Sequence, residues 1–271
     1  MIPLAGVIGD PIAHSRSPLL HGHWLRRHGI DGHYIPLHVR ASDLGGTLAL
    51  LPRLGFRGVN VTLPHKEAVF ALADEATDRA RAVGAANTLT FRDGRIHADN
   101  TDGAGFIANL RQGAPDWAGD RPALVLGAGG AARGVVAALL DEGVPTVTLA
   151  NRTAARAEAL AGQFDDRVRT IDWNDTGPAL ADHALLVNTT SLGMTGQPPL
   201  DVDLSALPGD AVVTDIVYTP LSTPLLTAAQ ARGNPTVDGL GMLLHQAAPG
   251  FAAWFGVTPQ VDDDLRRAVL G

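Results

Sequence analysis

The chain holds 21 basic residues, and 20 of them are arginine; the exception is Lys66. A GC-rich codon usage that favours arginine accounts for the 20 but not for the one. Lysine differs from arginine in that its ammonium gives up a proton near neutral pH when its surroundings lower its pKa. Lys66 is therefore either a residue of proton chemistry or a surface lysine that survived by chance. Four short segments carry more hydroxyl, amide and carboxyl groups than a core strand or a plain loop needs: 9–18, 60–66, 84–88 and 99–103. Ser15 and Ser17 place two hydroxyl donors just before a helix, an arrangement that suits a carboxylate. Ser17 could instead cap that helix, or do both. Thr62, Lys66, Asn87 and Asp102 fall at strand ends or in first helical turns, the positions that line the ligand crevice of α/β proteins.

A second constellation lies at 123–140, where ALVLGAGGAARGVVAALL carries a strand through a glycine-rich turn directly into a helix. Gly127, Ala128, Gly129, Gly130, Ala131 and Ala132 form a G-x-G-x-x-A version of the dinucleotide fingerprint. Gly127 permits the tight turn, Gly129 lets a pyrophosphate approach the backbone, and Ala132 is small enough for close helix–strand packing. The free N–H groups and the helix dipole then hold the phosphate. NAD sites place Asp or Glu at the end of the next strand to bind the ribose hydroxyls. This chain has Asn151, Arg152 and Thr153 there, with Arg156 four residues after Arg152. An acid would repel a 2′-phosphate, whereas guanidinium groups pair with it through forked hydrogen bonds. These arginines either form a solvated helix face or select NADP, and the missing acid favours NADP.

Composition narrows the remaining classes. The chain has 271 residues, 45% hydrophobic and 18% charged, which fits a soluble globular protein of two domains. A net charge of -7 argues against a nucleic-acid partner. With no cysteine there are no disulfides, thiolate metal sites or cysteine nucleophiles. The closest of the ten histidines, His21 and His23, point in different directions on a helix, so no metal site is expected. Ser15 lacks the G-x-S-x-G elbow of an acyl-transfer nucleophile. No apolar run reaches membrane-span length, and Asp10 interrupts the first apolar stretch, which no basic residue precedes. A cytoplasmic location without a membrane partner is the expectation.

The elements that must position these groups alternate between strand and helix. Strands are predicted at 4–9, 33–39, 58–62, 123–126, 146–150, 168–172, 184–188 and 211–216, with a hairpin at 87–99 turning at Asp93-Gly94. Helices are predicted from Ser17, over 42–54 as one leucine stripe, from Pro64, over 102–112, 131–142 and 153–164, and from 239 to the end. Such alternation predicts an α/β fold with parallel sheets and crossover helices. The expected division is an α/β domain over 1–102, a doubly wound Rossmann domain over 103–237, and C-terminal helices over 238–271 that return to the first domain. The loop at 113–122 leads into the second domain. The site is expected in the cleft between the domains, with closure on binding.

Taken together these segments resemble the shikimate dehydrogenases over nearly the whole chain. Besides the polar segments and the glycine loop, the resemblance includes Asn188-Thr189-Thr190, Asp215 to Tyr218, Asp238 to Leu243, and Gln246. It implies reduction of 3-dehydroshikimate to shikimate with NADPH, in aromatic amino acid biosynthesis, by a monomer or homodimer. It implies that Ser15 and Ser17 bind the substrate carboxylate. Thr62, Lys66, Asn87, Asp102 and Gln246 then surround the ring hydroxyls and the reacting carbonyl, with Tyr218 nearby and Lys66 and Asp102 as the catalytic pair. Gly127 to Ala131 hold the pyrophosphate; Asn151, Arg152, Thr153 and Arg156 hold the adenosine end. Ile216 and Gly239 lie near the nicotinamide, although family members often carry Met or Val at the position of Ile216. The resemblance also implies Asp78 as a further cofactor contact. The competing readings are a quinate/shikimate dehydrogenase using NAD, a relative acting on an aminoshikimate, and a non-catalytic ligand sensor. A sensor would need neither Lys66 nor Asp102.

Overall fold

The computed structural model describes residues 2–271. It divides into one unit formed by the chain up to Asp102 with Leu244–Gly271, and a second formed by Gly103–Leu243. The first unit contains β1 (Leu4–Gly9), α1 (Ser17–Arg27), β2 (His33–His38), α2 (Leu44–Leu50), β3 (Phe56–Val61), α3 (Lys66–Leu72), β4 (Glu75–Ala76), α4 (Asp78–Val83), β5 (Thr88–Arg92) and β6 (Arg95–Asp99). Its sheet runs β2-β1-β3-β5-β6-β4. β1 lies parallel to β2 and β3, whereas β5 is antiparallel to both β3 and β6. This sheet is therefore mixed rather than parallel throughout. For β5 and β6 the cause is local: Asp93 and Gly94 both adopt positive φ, at 54° and 74°. Such a two-residue turn joins only antiparallel strands.

The helix predicted over 42–54 is broken. Short 3₁₀ turns at Ala41–Asp43 and Leu51–Leu54 flank α2, and at its C-terminal end Pro52 lacks the N–H that would continue it. Leu44, Leu48 and Leu51 are buried, but Leu54 is 57% exposed and leaves the stripe. The helix after Pro64 begins two residues later, with His65 as its N-cap and Lys66 as its first residue.

One face of this sheet buries Val59, Val61 and Leu89 with α2 and Val69 of α3. A second, aromatic cluster joins His21 and Trp24 of α1 to Tyr34 of β2 and to Phe251 and Trp254 of α10 (Leu240–Phe255). The Trp254 indole N–H donates to the carbonyl of Leu89 (3.1 Å) and that of Trp24 to the carbonyl of Gln260 (3.0 Å). The helix predicted to run to the C-terminus is interrupted over 256–262, where Gly256 takes a φ of +76°. It resumes as α11 (Asp263–Leu270), whose cap Asp262 accepts from the Leu265 N–H at 3.0 Å.

The second unit contains α5 (Asp102–Gly113, its first residue in the first unit), β7 (Ala123–Leu126), α6 (Gly130–Asp141), β8 (Val147–Ala150), α7 (Ala154–Ala161), β9 (Val168–Ile171), α8 (Thr176–Ala179), β10 (Leu185–Asn188), β11 (Val212–Asp215), α9 (Pro224–Ala231) and β12 (Thr236–Val237). Its sheet order is β12-β11-β10-β7-β8-β9, every pairing parallel. β7, β8, β10 and β11 are buried at every position, as helices on both faces require. The chain order reverses beside β7, and that switch point opens the crevice in which doubly wound sheets bind ligands. Residues 238–243, expected to return to the first unit, stay with the second. Asn109 of α5 holds them: its amide donates to the carbonyl of Asp238 at 2.7 Å, and Gly241 packs on its side chain. Among the described residues no helix is long and apolar enough to cross a membrane.

Candidate active site

Lys66, at the start of α3, reaches Asp102, the first residue of α5: Nζ donates to Oδ2 at 2.5 Å. Both side chains are partly open, at 27% and 17% exposure, so they remain available to a ligand. The other carboxylate oxygen, Oδ1, accepts from the Asn87 amide at 2.7 Å. The same amide lies 3.2 Å from Oε1 of Gln246 on α10. The backbone enforces this convergence, since the carbonyl of Lys66 accepts from Ala86 N–H (2.9 Å) and the carbonyl of Asp99 from Asn87 N–H (3.0 Å). A positive ammonium, a carboxylate and two carboxamides thus meet in the first unit. Such a set can bind vicinal hydroxyls and donate a proton to a carbonyl oxygen.

Thr62 follows β3, half-buried, with its N–H donating to the carbonyl of Ile8. Ser15 and Ser17 sit at the entry to α1. The helix begins at Ser17 itself and carries no side-chain cap, so Ser17 does not cap it. Ser15 Oγ instead accepts from the Ser17 N–H at 3.3 Å. Ser17 is 7% exposed and neighbours buried Tyr34, whose pKa burial raises well above the usual value. From Tyr34 hydrogen bonds continue through Asn60 to Asn87 and Asp102. His21, stacked on Tyr34 at 3.8 Å, has its pKa pushed down to about 3 by burial, only partly offset by the neighbouring Asn60. Neither ring nitrogen of His21 finds a hydrogen-bond partner of good geometry.

In the second unit Gly127 follows β7 with a φ of +108°, which a side chain rarely adopts, and an added Cβ would lie 2.6 Å from Thr189 Oγ1. Gly129 and Gly130 are exposed, and nothing lies within 4 Å of a Cβ placed on either. Gly129 is the N-cap of α6 without a side-chain cap, which leaves the first helical N–H groups for an anion. Ala128 and Ala131 complete the turn, both half-buried, and Ala132 is fully buried beneath it. Asn151, Arg152 and Thr153 follow β8, and the Asn151 amide donates to the carbonyl of Thr153 at 2.9 Å. Arg152 and Arg156 are exposed, and among the described residues neither has a carboxylate within ion-pair reach. An exposed N–H nest with two uncommitted guanidinium groups beyond it fits a dinucleotide carrying a 2′-phosphate.

Ile216 and Tyr218 follow β11, both half-buried. Gly239 lies against the backbone of Ile216 and Val217 so closely that a Cβ would come 2.3 Å from the Ile216 carbonyl oxygen. Asp78 stands elsewhere, fully exposed in the first turn of α4 and ion-paired at 2.9 Å with Arg81 of the same helix.

Several buried polar residues to which the sequence reading assigned no role support these groups. Asn60, Thr88 and Thr101 surround Asn87 in the first unit. In the second unit the fully buried Asn188 and Asp215 join the ends of β10 and β11 through a 2.9 Å bond. Asp215 also accepts from Val217 N–H (3.0 Å) and Thr223 Oγ1 (2.8 Å), and so anchors the segment carrying Ile216 and Tyr218. Burial raises its pKa against the pull of those donors. The available signal was a polar side chain inside an apolar strand, as at Asn60 in GVNVT.

Residues 7–89 match the shikimate dehydrogenase substrate-binding domain, 111–194 the shikimate/quinate 5-dehydrogenase domain, and 239–269 the shikimate 5′-dehydrogenase C-terminal domain. A shikimate dehydrogenase (NADP(+)) of Cereibacter sphaeroides is 64% identical, covering 99% of this chain and 97% of that protein. Among solved structures, quinate dehydrogenase from Corynebacterium glutamicum in complex with NAD superposes with a TM-score of 0.92 at 34% identity, covering 99% of both chains. Shikimate 5-dehydrogenase from Thermus thermophilus in complex with NADP(H) and shikimate gives a TM-score of 0.88 at 37% identity, covering 100% of this chain and 99% of that one. With its lysine–aspartate pair, its dinucleotide turn and this likeness along its whole length, the chain belongs to the shikimate dehydrogenase family.

Proposed function

We propose that this protein reduces 3-dehydroshikimate to shikimate with NADPH, reversibly. The observation that carries the reading is the Lys66–Asp102 pair at 2.5 Å, with Asn87 on the other carboxylate oxygen. The hydride is supplied by NADPH when it is bound. The developing alkoxide needs a proton and a positive charge, and the Lys66 Nζ gives both. Asp102 orients that ammonium and accepts from a ring hydroxyl. Asn87 and Gln246, joined at 3.2 Å, and Thr62 address the remaining hydroxyls, while Ser15 and Ser17 take the carboxylate. Tyr218 is a further substrate contact on the family resemblance. A site of this many polar groups discriminates against analogues that leave them unpaired.

Residues Gly127 to Ala131 hold the pyrophosphate of NADP, Asn151, Arg152, Thr153 and Arg156 its adenosine end, and Ile216 and Gly239 its nicotinamide. Asp78, bonded within its own helix, is the least supported cofactor contact. The likeness to an NAD-bound quinate dehydrogenase favours a second reading, a quinate/shikimate dehydrogenase. The absence of a carboxylate from 150–153 opposes it. The test is the nicotinamide absorbance with shikimate and with quinate, each against NADP and NAD. Shikimate with NADP is expected to turn over fastest. Faster turnover of quinate with NAD would reverse the assignment, and no turnover of either would leave a ligand sensor.

A further inference from the structure

Asn87 is the hub of the proposed site, and its function depends on which way its carboxamide faces. With the nitrogen toward Asp102 it donates to Oδ1 at 2.7 Å. Reversed, it would set an oxygen against a carboxylate. We propose that Thr88, held in donor orientation by Asn60, is a positioning residue that fixes the Asn87 carboxamide with its nitrogen toward Asp102.

The direction of each hydrogen bond follows from groups that have only one role. The carbonyl of Asn87 can only accept, and it takes a proton from Asn60 Nδ2 at 3.2 Å. That orients Asn60, whose Oδ1 accepts from the Tyr34 hydroxyl at 2.7 Å. Buried Tyr34, with its raised pKa, remains an O–H donor. Asn60 Nδ2 also donates to Thr88 Oγ1 at 3.1 Å, which occupies a lone pair of that hydroxyl. The single Thr88 proton then goes to Asn87 Oδ1 at 3.0 Å rather than to the more distant Thr101 Oγ1 at 3.4 Å. Thr101 adds a main-chain donor to the same oxygen, its N–H at 2.9 Å. The Thr101 hydroxyl donates to the carbonyl of Gln246 at 2.8 Å and so accepts from Asn87 Nδ2 at 3.0 Å. Two donors on Oδ1 and acceptors around Nδ2 leave one orientation for Asn87. Asn60, Asn87, Thr88 and Thr101 are at most 5% exposed, so water does not replace a lost partner.

The inference rests on the dehydrogenase reading only where turnover is its readout. Thr88→Val removes the hydroxyl and keeps the shape; Thr88→Ser keeps the hydroxyl. In the shikimate/NADP assay Thr88→Val is expected to lower kcat by about tenfold with little change in KM, and Thr88→Ser to stay within about threefold of the parent. A purely structural role would lower thermal stability and the active fraction without respecting Asn87, so a double-mutant cycle decides. In an Asn87→Ala background the Thr88→Val loss is expected to vanish; a loss of the same size in both backgrounds overturns the proposal. A readout independent of substrate is the Asn87 side-chain amide signal of ¹⁵N-labelled protein. It is expected to shift and exchange faster in Thr88→Val and to return in Thr88→Ser, and an unchanged signal in Thr88→Val refutes the proposal. If the parent lacks shikimate turnover while the amide responds as expected, the dehydrogenase reading fails and the positioning role stands.

Discussion

Replacing Lys66 by arginine separates charge from proton transfer, and a methionine variant supplies the comparison. The guanidinium keeps a positive charge that still pairs with Asp102, but it does not lose its proton at working pH. Methionine removes both while roughly keeping the bulk. The structure bounds what the charge alone contributes. A charge-assisted hydrogen bond is worth about 1.5–3 kcal/mol when buried. The exposures of Lys66 and Asp102, 27% and 17%, place this pair toward the lower end of that range. About 1.5 kcal/mol corresponds to roughly tenfold in rate or binding. General acid–base catalysis typically contributes about 10²–10⁴-fold. If Lys66 donates the proton, both variants therefore lose kcat by about 10²–10⁴-fold. If it contributes only charge, arginine retains most of the turnover and methionine mainly raises KM. The assay is steady-state shikimate oxidation followed at the nicotinamide band, with NADP affinity measured separately. That affinity should be unchanged in both variants, since Lys66 belongs to the first unit and the dinucleotide turn to the second. An arginine variant within about threefold of the parent would refute the proton-transfer role and return the single lysine to an accident of composition.

Neutral replacements of Arg152 and Arg156 should weaken NADP binding by about 1.5–3 kcal/mol per lost contact, less for exposed groups, and leave NAD nearly unaffected; equal losses for both cofactors in titration would sink the 2′-phosphate assignment. Ser15→Ala and Ser17→Ala should each raise KM for shikimate about tenfold. Because Ser17 does not cap α1, an unchanged KM with a lower Tm would contradict its role in the carboxylate pocket. His21 is held neutral in the fold, its pKa near 3, against 6.5 for an ordinary histidine. The unfolded chain therefore binds the extra proton, and the stability from His21 is complete above pH 6.5 and is lost as pH falls toward 3, by about 1.4 kcal/mol per pH unit. Between pH 7 and 5 the parent should lose about 2 kcal/mol more than His21→Phe in urea unfolding, and parallel pH curves for the two would show that His21 is not buried neutral.

The sequence made most of the second unit legible. Its strands are short apolar runs between helices, and a sheet covered on both faces needs every position apolar, so the pattern is strong at β7, β8, β10 and β11. The first unit was read less fully. Its two-residue strand β4 and short helix α4 carry too few residues to show a period. The break at Pro52 was hidden because Leu51 stays buried after the helix has tightened into a 3₁₀ turn. The extent of the C-terminal return was hidden too, because it depends on tertiary contacts such as those of Asn109 with Asp238 and Gly241, which no local pattern announces.

The site shows the same division between what a sequence carries and what only packing supplies. Lys66, Asp102, Asn87 and the glycine turn are visible because each is the wrong residue for its place: a lysine among arginines, polar groups at strand ends, glycines between a strand and a helix. Thr88 and Thr101 carry polar groups of ordinary type and Asn60 shows only as a polar residue in an apolar strand; the importance of all three lies in the direction of their hydrogen bonds. Direction depends on which main-chain group each side chain meets, the Asn87 carbonyl for Asn60 and the Thr101 N–H for Asn87. The first meeting follows from the register of β3 with β5, where Asn60 stands opposite Thr88, and the second from that of β5 with β6, where Thr88 stands opposite Asp99. A slip of one residue would turn the Asn60 amide to the other face and remove the donor that orients the Thr88 hydroxyl toward Asn87. The central pairing of the sheet therefore also sets the donor facing Asp102, so a change in β3 or β5 that spares every residue touching substrate should still reach the chemistry.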